Sequence, residues 1–339
     1  MKMQLKALVP LALPFLAAIP AQAQQTLTIA SWAPPQHVVN AEVWPAFIER
    51  LEEISDGQLT AQVRLGLVPP PAMPDLVLDG GADITFIFHG YNAGRFVTGE
   101  LVELPGTEGD AEATSVAYWN VWNDYLRQAG EQDEYKTLAM FMHGAAQFHL
   151  TTEVDGLGAI DGMRLRAPGG VGSMVIERLG AVGIQVPATR VYETLSSGAA
   201  DGVVMNVDSR IGFRLDEVAP VLFEVPGGLY RGSFAAIMNR ETWDSLDPDL
   251  QARLDAELFG EPLSRLFGAA WAQGDANARA AAIEAGTPVI ALDAADMEVF
   301  EAVQREVEAE ILERVAARGV DAEGALAAFR AMSASVDVE

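Results

Sequence analysis

Two arginines, Arg164 and Arg166, lie in a short segment that has the residue pattern of a β-strand. They alternate with Met163, Leu165 and Ala167, and the two-residue period of a strand puts both guanidinium groups on the same face. An arginine buried in an α/β protein has to be paired, and its planar group can hold a carboxylate through two parallel hydrogen bonds. The spacing therefore indicates a structural ion pair, an exposed sheet face or a binding site for an organic anion.

A glycine-rich stretch from Gly169 to Gly172 follows this strand and opens a predicted helix. Val175 stands where the dinucleotide-binding fingerprint has its third glycine, and no lysine is near enough for a phosphate-binding P-loop. A helix N-terminus with free backbone N–H groups can still help to hold an anion. We therefore predict no nucleotide and no other cofactor at this loop.

The residue types that carry catalysis or bind metals form no recognisable motif. The four histidines, His37, His89, His143 and His149, lack H-x-x-x-H spacing, and the chain has neither G-x-S-x-G nor S-x-x-K. There is no cysteine, which excludes disulfides, thiolate metal sites and thiol nucleophiles. We therefore predict no catalytic residue, no metal site and no enzymatic activity.

The charge balance excludes most polyanionic partners. The chain has 339 residues, of which half are hydrophobic, so it can form large cores. Asp and Glu number 48 against 22 Lys and Arg, and the formal net charge is −26. Because such a protein repels nucleic acids and anionic membrane surfaces, we expect a globular protein with no nucleic-acid partner.

The first 23 residues have the features of a secretory signal peptide. Lys2 and Lys6 precede a nearly continuous apolar stretch over residues 7–20, and Ala21-Gln22-Ala23 is a small-x-small cleavage site. The alternative is an uncleaved N-terminal anchor. Cleavage after Ala23 would remove the two lysines and change the formal charge from −26 to −28. The expected location of the mature, soluble protein is the bacterial periplasm.

The hydrophobic pattern of the remaining chain predicts an α/β fold with alternating strands and helices. Strands are predicted at Leu27–Trp32, Leu59–Leu65, Ile84–Phe88, Leu138–Met142, Phe148–Thr152, Met163–Ala167, Ile184–Pro187, Val203–Val207 and Ser233–Met238. Helices are predicted at Glu42–Ile54, Ala72–Leu78, Ser173–Leu179 and Val191–Ser197, and helical spacing continues over Leu250–Glu284 and Asp296–Ala317. The strand at 233–238 is expected to cross back to the first unit.

A series of motifs in a fixed order extends over nearly the whole mature chain. They are Leu27–Trp32, Ser55–Gln58, Asp79–Ile84, Tyr91–Phe96 followed by Glu103–Pro105, Asp161–Arg166, Leu179–Ala181 and Tyr192–Gly202. In these motifs the chain resembles the solute-binding proteins of tripartite ATP-independent periplasmic (TRAP) transporters, the DctP-like family. The resemblance implies capture of a small organic acid and its delivery to a membrane complex of a small and a large subunit.

The same resemblance implies a two-lobe periplasmic binding protein fold, type II-like, with hinge-connected lobes and a long helix spanning both. The first lobe is expected at residues 24–148, with a return segment at about 235–290. The second is expected at 149–234, with C-terminal helices at about 291–335. Two other interpretations remain open, a ligand sensor for a receptor and an exported α/β hydrolase.

The resemblance also assigns candidate ligand contacts. Arg166 matches the carboxylate anchor of the family, whereas Arg164 is expected at the surface. Some members carry a second basic residue about twenty positions upstream, where this chain has Gln147 and His149, which disfavours a dicarboxylate or a sialic-acid-like ligand. Asn206 and Met205 follow the Asp201-Gly202 motif, at positions that face the ligand in the family.

Further candidates stand at predicted strand ends, where open α/β sheets bind ligands. They are Trp32, His37, His89, Tyr91, Phe148 and Phe234. An apolar, aromatic lining with one arginine favours a monocarboxylate, with an aromatic or branched side group.

Overall fold

The computed structural model describes residues 24–335. The predicted signal peptide, residues 1–23, lies outside the described residues. None of the helices in the described part of the chain is long and apolar enough to cross a membrane.

Eleven strands form two sheets in residues 24–335. The strands are β1 (Gln25–Ser31), β2 (Leu59–Leu65), β3 (Ile84–Phe88), β4 (Tyr135–Met142), β5 (Ala146–Leu150), β6 (Arg164–Ala167), β7 (Val182–Gln185), β8 (Gly202–Asn206), β9 (Val221–Glu224), β10 (Ser233–Asn239) and β11 (Val289–Ala291). The first sheet has the order β2-β1-β3-β10-β4, and the second has the order β11-β9-β5-β8-β6-β7. Each sheet mixes parallel and antiparallel pairs. In the first, β1 pairs parallel with β2 and β3, while β10 runs antiparallel to β3 and β4.

Eleven α-helices accompany these strands in the same residues. They are α1 (Trp44–Ile54), α2 (Met73–Leu78), α3 (Ala111–Val121), α4 (Gly170–Arg178), α5 (Val191–Ser196), α6 (Ser209–Gly212), α7 (Arg240–Asp244), α8 (Pro248–Glu257), α9 (Glu261–Glu284), α10 (Ala294–Ala316) and α11 (Ala322–Ser335). With the two sheets they form the two-lobe α/β architecture that the sequence predicts, and that prediction is confirmed.

The apolar spacing of α1 shows how the sequence sets this packing. Val43, Phe47, Leu51 and Ile54, which the sequence places on one helix face, are all buried in the structure. The continuous apolar run Ile84–Phe88 is likewise buried along its whole length, because β3 lies inside the first sheet. Burial of such side chains supplies the main stabilisation of each lobe.

The chain crosses between the sheets at two short segments, residues 143–145 after β4 and residues 225–232 before β10, and a third time through α7, α8 and α9 between β10 and β11. The expected return of the strand at 233–238 to the first sheet is therefore observed. The long helix α9 packs against α3 and β4 of the first lobe and against α6 of the second. It therefore contacts both lobes.

The C-terminal helices α10 and α11 were expected in the second lobe, but both of them contact the first lobe. Helix α10 packs against α4 of the second lobe and against residues 97–101 of the first, whereas α11 packs against α3 of the first lobe. Phe329 of α11 is fully buried there. Strand β5 also belongs wholly to the second sheet, which puts the first crossing a few residues before the expected boundary at 148.

Candidate ligand-binding site

A cavity of about 390 Å³ lies between the two lobes, next to both short crossing segments. Its lining comes from strand ends and loops of both lobes and from helix α9. The lining residues are Trp32, His37, Phe88, Tyr91, His143, Arg166, Pro168, Ala188, Met205, Asn206, Phe213, Tyr230, Phe234 and Trp271.

Arg166 is the charged group of this cavity. It lies on β6, and only 1% of its surface is exposed. Its Nε donates a hydrogen bond of 2.9 Å to the carbonyl of Val186, while Nη2 is buried and has no partner within residues 24–335. Leaving such a donor unpaired costs roughly 1–3 kcal/mol, and more when the group is charged, so the site stabilises an incoming acceptor.

Arg164, two residues earlier on the same strand, has a different environment. Its side chain is about half exposed, and its Nη2 lies 2.6 Å from Oδ1 of Asp201. Its backbone N–H also donates to Oδ2 of Asp201. The structural ion pair that the sequence left open is therefore formed by Arg164, and no acid of the described chain pairs with Arg166.

Two tyrosines stand near Arg166. The phenol oxygen of Tyr91 accepts a hydrogen bond of 2.8 Å from the backbone N–H of Ala188, which joins the first lobe to the second. Burial raises the pKa of Tyr230, and the charge of Arg166 partly opposes this shift. The phenol of Tyr230 is therefore protonated at neutral pH and can donate to an anion held by Arg166.

Aromatic rings form most of the remaining wall. Trp32 stacks on Phe86 with centroids 4.6 Å apart, and Phe234 contacts both Phe88 and Trp271 at about 5 Å. Such rings bury large apolar areas with defined geometry, so they suit a flat apolar ligand.

The two histidines of the cavity are neutral. Burial lowers the pKa of His37 to about 3 and that of His143 to about 4. Nδ1 of His143 donates to the carbonyl of Gly144, and its Nε2 accepts from the N–H of Gly232. Arg166 is therefore the single cationic side chain among the described residues that line the cavity.

Asn206 and Met205 reach the cavity from the end of β8. The amide nitrogen of Asn206 donates to Asp275 on α9 at 3.1 Å, and its amide oxygen accepts from Ser209. Both polar atoms of Asn206 are thus already engaged, which fixes its orientation in the wall.

Seven of the ten predicted contact residues come together at this cavity. They are Arg166, Asn206, Met205, Trp32, His37, Tyr91 and Phe234. Their contact with a ligand stays a prediction.

The other three predicted residues lie outside the lining. Gln147 is buried and makes a pair of hydrogen bonds with the backbone of Val225. Phe148 is fully buried in the second lobe, with its ring 5.6 Å from that of Phe223. His89 is buried in the first lobe and hydrogen-bonded to Ser233 and Gln132.

Sequence reasoning missed half of the lining. The missed residues are Phe88, His143, Pro168, Ala188, Phe213, Tyr230 and Trp271. Phe88 ends a predicted strand, so the strand-end rule that selected His89 and Tyr91 could also have selected it. Trp271 stands in a periodic helical pattern and has no signal that separates it from a core residue.

A second cavity, of about 610 Å³, lies on the other side of the close contact between Gly90 and Gly169. Its carboxyl and guanidinium side chains are those of Glu100, Glu103, Glu177 and Arg314. Glu100 and Arg314 form an ion pair of 2.9 Å. This cavity therefore has an acidic lining, in contrast to the first.

Glu103 of the first lobe approaches the start of α4, the predicted anion-holding helix N-terminus. Its Oε1 accepts hydrogen bonds from the backbone and hydroxyl of Ser233. Burial raises the pKa of Glu103 to about 8, and hydrogen bonds from Ser233 and the backbone of Val171 oppose this shift. The group next to this helix N-terminus is thus a carboxyl of the protein itself.

Within the described residues, no three His, Asp or Glu side chains are grouped so that they could hold a metal ion.

The chain matches the family described as bacterial extracellular solute-binding protein, family 7, over residues 29–314. It is similar to a TRAP periplasmic solute-binding protein of Bordetella bronchiseptica, whose structure contains (R)- and (S)-mandelate. The two are 34% identical with a TM-score of 0.88, and the match covers 92% of this chain and 100% of the other.

Two further solved structures are similar over most of their length. A TRAP solute-binding protein of Rhodoferax ferrireducens, with copurified benzoate, is 27% identical, with a TM-score of 0.85 and coverage of 92% and 98%. A marine metagenome protein specific for aromatic acids, in complex with metahydroxyphenylacetate, is 28% identical, with a TM-score of 0.84 and coverage of 92% and 99%.

Proposed function

The chain belongs to family 7 of the bacterial extracellular solute-binding proteins, and we propose that its ligand is an aromatic monocarboxylate. It is a TRAP-type solute-binding protein, which captures an organic acid and works with the membrane subunits of a TRAP transporter. We further propose which class of acid it binds and which residues contact that acid.

The observation that carries this proposal is the unpartnered Nη2 of Arg166 in a cavity walled by aromatic rings. A carboxylate placed there completes the hydrogen bonding of a buried guanidinium, and charge-assisted bonds of this kind contribute roughly 1.5–3 kcal/mol each. The rings of Trp32, Phe234 and Trp271 then cover an aromatic side group.

The charge of the lining favours one carboxylate over two. Arg166 carries the only positive charge among the cavity residues, because His37 and His143 are neutral at physiological pH. A second ionised carboxylate would be buried without a partner, which is strongly unfavourable. The relatives with bound mandelate and benzoate carry monocarboxylates of this class.

Closure of the lobes around the ligand is the proposed mode of capture. Two hydrogen bonds join the lobes beside the cavity, from Ala188 N to Tyr91 Oη and from Gln36 Nε2 to the carbonyl of Gly212. The crossing segments at 143–145 and 225–232 would act as hinges between lobes bounded at these residues.

We also propose that the protein is exported and that it does not convert its ligand. Cleavage after Ala23 would release the mature protein into the periplasm, and the mass of the exported protein tests this site directly. We expect the bound acid to be recovered chemically unchanged, because the cavity offers no nucleophile paired with a base. Recovery of a converted product would contradict this.

Thermal unfolding against a panel of carboxylic acids tests the function. The mature protein is first unfolded and refolded to remove any copurified acid. A ligand at one hundred times its dissociation constant adds about 2.7 kcal/mol of stability, so aromatic monocarboxylates should raise the melting temperature by several degrees. Shifts with dicarboxylates or sugar acids alone would contradict the proposed class.

A further inference from the structure

Part of the cavity wall is formed around His37. The ring of His37 lies 5.4 Å from that of Phe213 and 5.8 Å from that of Trp271. Trp32 lies between His37 and Tyr91, since its ring is 6.4 Å from the first and 6.2 Å from the second. A ring held against Trp32 would therefore have His37 on one side and Tyr91 on the other.

His37 presents an N–H group at this end. The backbone N–H of Val39 donates to Nδ1 of His37 at 3.3 Å, so Nδ1 carries no proton. Burial lowers the pKa of His37 to about 3, and the ring is neutral. The proton of the neutral ring is consequently on Nε2, which makes Nε2 a hydrogen-bond donor.

The carboxyl group of Asp208 lies next to His37, outside the residues that line the cavity, and its Oδ2 also lacks a partner. Its Oδ2 is buried and makes no hydrogen bond to any described residue, and it lies 4.0 Å from Nε2 of His37. That distance is too long for a hydrogen bond between the two groups. Burial raises the pKa of Asp208 to about 8, and the neighbouring acids Asp275 of α9 and Glu42 add to this shift.

We propose that His37 Nε2 and Asp208 Oδ2 form a second polar subsite, which binds a hydroxyl group on the ring of an aromatic acid. The subsite rests on the proposed function, because Arg166 holds the carboxylate of the same ligand. A hydroxyl both accepts and donates a hydrogen bond. Its oxygen, placed about 2.8 Å from each atom, accepts from His37 and donates to Asp208, which closes the gap between them.

Such a subsite makes the protein selective for hydroxylated ligands. A site built to hydrogen-bond a hydroxyl rejects the analogue that lacks it, because its buried polar groups are then left unpaired. The competing occupant is an ordered water molecule, which could satisfy the same two atoms. A water that stays in place would make the ligand hydroxyl superfluous, and this difference can be measured.

Calorimetry with matched acids tests the proposal. The probes are benzoate and phenylacetate, each unsubstituted and with a hydroxyl at ring position 3 or 4. In the wild-type protein we expect one hydroxylated acid to bind about tenfold or more tightly than its parent. In His37→Phe, which keeps a ring against Phe213 and Trp271, we expect that preference to fall below about twofold while the parent acid still binds.

Two further variants separate the possible failures. Asp208→Ala should reduce the preference as His37→Phe does, and it serves if the latter does not fold. Arg166→Ala should abolish binding of parent and hydroxylated acids alike. Equal affinities for parent and hydroxylated acids in the wild type, or a preference that survives both substitutions, would overturn the subsite. If no aromatic acid binds at all, the proposed function fails, and the subsite fails with it.

Discussion

Two of the cavities between the lobes differ in the charge of their lining. The first contains Arg166 among aromatic rings, whereas the second is lined by Glu100, Glu103 and Glu177. The second is the larger, at about 610 Å³ against about 390 Å³. The unpaired guanidinium of Arg166 favours an organic anion in the first cavity and the glutamates of the second disfavour one, so the proposed site is the smaller of the two.

The pairing of the charges explains this difference better than their number. Arg314 in the second cavity is already bound to Glu100, and Arg164 at the surface is bound to Asp201. Arg166 alone of these three arginines has a buried nitrogen without a partner in the described chain. Arg231 also has buried nitrogens without a partner in the described chain, Nε and Nη1, but it lies outside the lining of both cavities. A buried unpaired cation is costly in the absence of a ligand, so an unpaired guanidinium that lines a cavity is the feature that supports the proposed anion site.

The largest effect is expected from removing the guanidinium of Arg166. Arg166→Ala should weaken binding of an aromatic monocarboxylate by at least about a hundredfold, because two charge-assisted hydrogen bonds are lost. Arg164→Ala is the matched control on the same strand and should change affinity by less than about threefold. Calorimetry on both folded variants measures this. Equal losses would mean that the anchor has been misassigned.

The second-largest effect on ligand binding is expected at the close contact between Gly169 and Gly90, which lies between the two cavities. Gly169 has a φ of +105°, and a Cβ at this position would lie 2.8 Å from the carbonyl oxygen of Gly90 in the other lobe. Gly169→Ala should hinder closure and weaken binding by about tenfold.

Gly162→Ala is its control. Gly162 also has a positive φ, of +76°, but a Cβ there would meet no atom within 4 Å. The Gly162→Ala substitution should therefore lower the stability of the fold and leave the affinity for the ligand nearly unchanged. Similar affinity losses in both variants would show that backbone strain, and not the contact between the lobes, is responsible.

A smaller effect is expected from Tyr91→Phe, which removes the phenol oxygen that accepts from Ala188. One neutral hydrogen bond between the lobes contributes roughly 0.5–1.5 kcal/mol, so affinity should fall about three- to tenfold, measured by calorimetry. Tyr192→Phe removes a phenol that bonds Glu217 within the second lobe and should not affect binding. An unchanged affinity for Tyr91→Phe would exclude a role of this bond in the closed state.

The smallest effect on binding is expected in the acidic cavity. Glu103→Gln should change ligand affinity by less than about threefold but alter the pH dependence of stability. The folded pKa of Glu103 is about 8 against 4.5 ordinarily, so folding favours the protonated form. Its stabilising contribution is complete below pH 4.5 and is lost as the pH rises towards 8.

The same histidines are present in both proteins, so the difference in slope between the wild type and Glu103→Gln isolates this carboxyl between pH 6.5 and 8. All four histidines have folded pKa values near 3 or 4, below the ordinary 6.5, so their contribution to stability rises with pH and levels off about one pH unit above 6.5. Asp208, whose pKa is also raised to about 8, loses stability in parallel with Glu103. In urea unfolding, Glu103→Gln should flatten the decline by roughly 1 kcal/mol per pH unit. A slope equal to that of the wild type would contradict a buried, protonated Glu103.

The fold was predictable where the hydrophobic pattern is clear. The strand at Ile84–Phe88 and the buried face of α1 follow directly from apolar runs and helical spacing. Helix α3 was missed because it is buried against α9, β4 and α11, and a helix covered on several sides has no amphipathic period. Strand β9 was missed because four residues are too few to show a period.

The candidate site was predictable in part from the chemistry of single residues. An arginine in a strand of an α/β protein needs a partner, which singled out Arg164 and Arg166 together, and the resemblance to the family's carboxylate anchor then selected Arg166. Tyr230 and Trp271 could not be selected, since one lies in a crossing segment and the other on α9, and only the three-dimensional fold brings them to the cavity. The engagement of Gln147 with the backbone of Val225 likewise depends on a contact over 78 positions.

The crystal structure of the mature protein with a bound aromatic monocarboxylate, such as benzoate, tests the central claim most directly. We predict that a carboxylate oxygen lies about 3 Å from Nη2 of Arg166 and that the ring contacts Trp32 and Phe234. A ligand whose carboxylate points away from Arg166, or one that occupies the acidic cavity, would contradict this account.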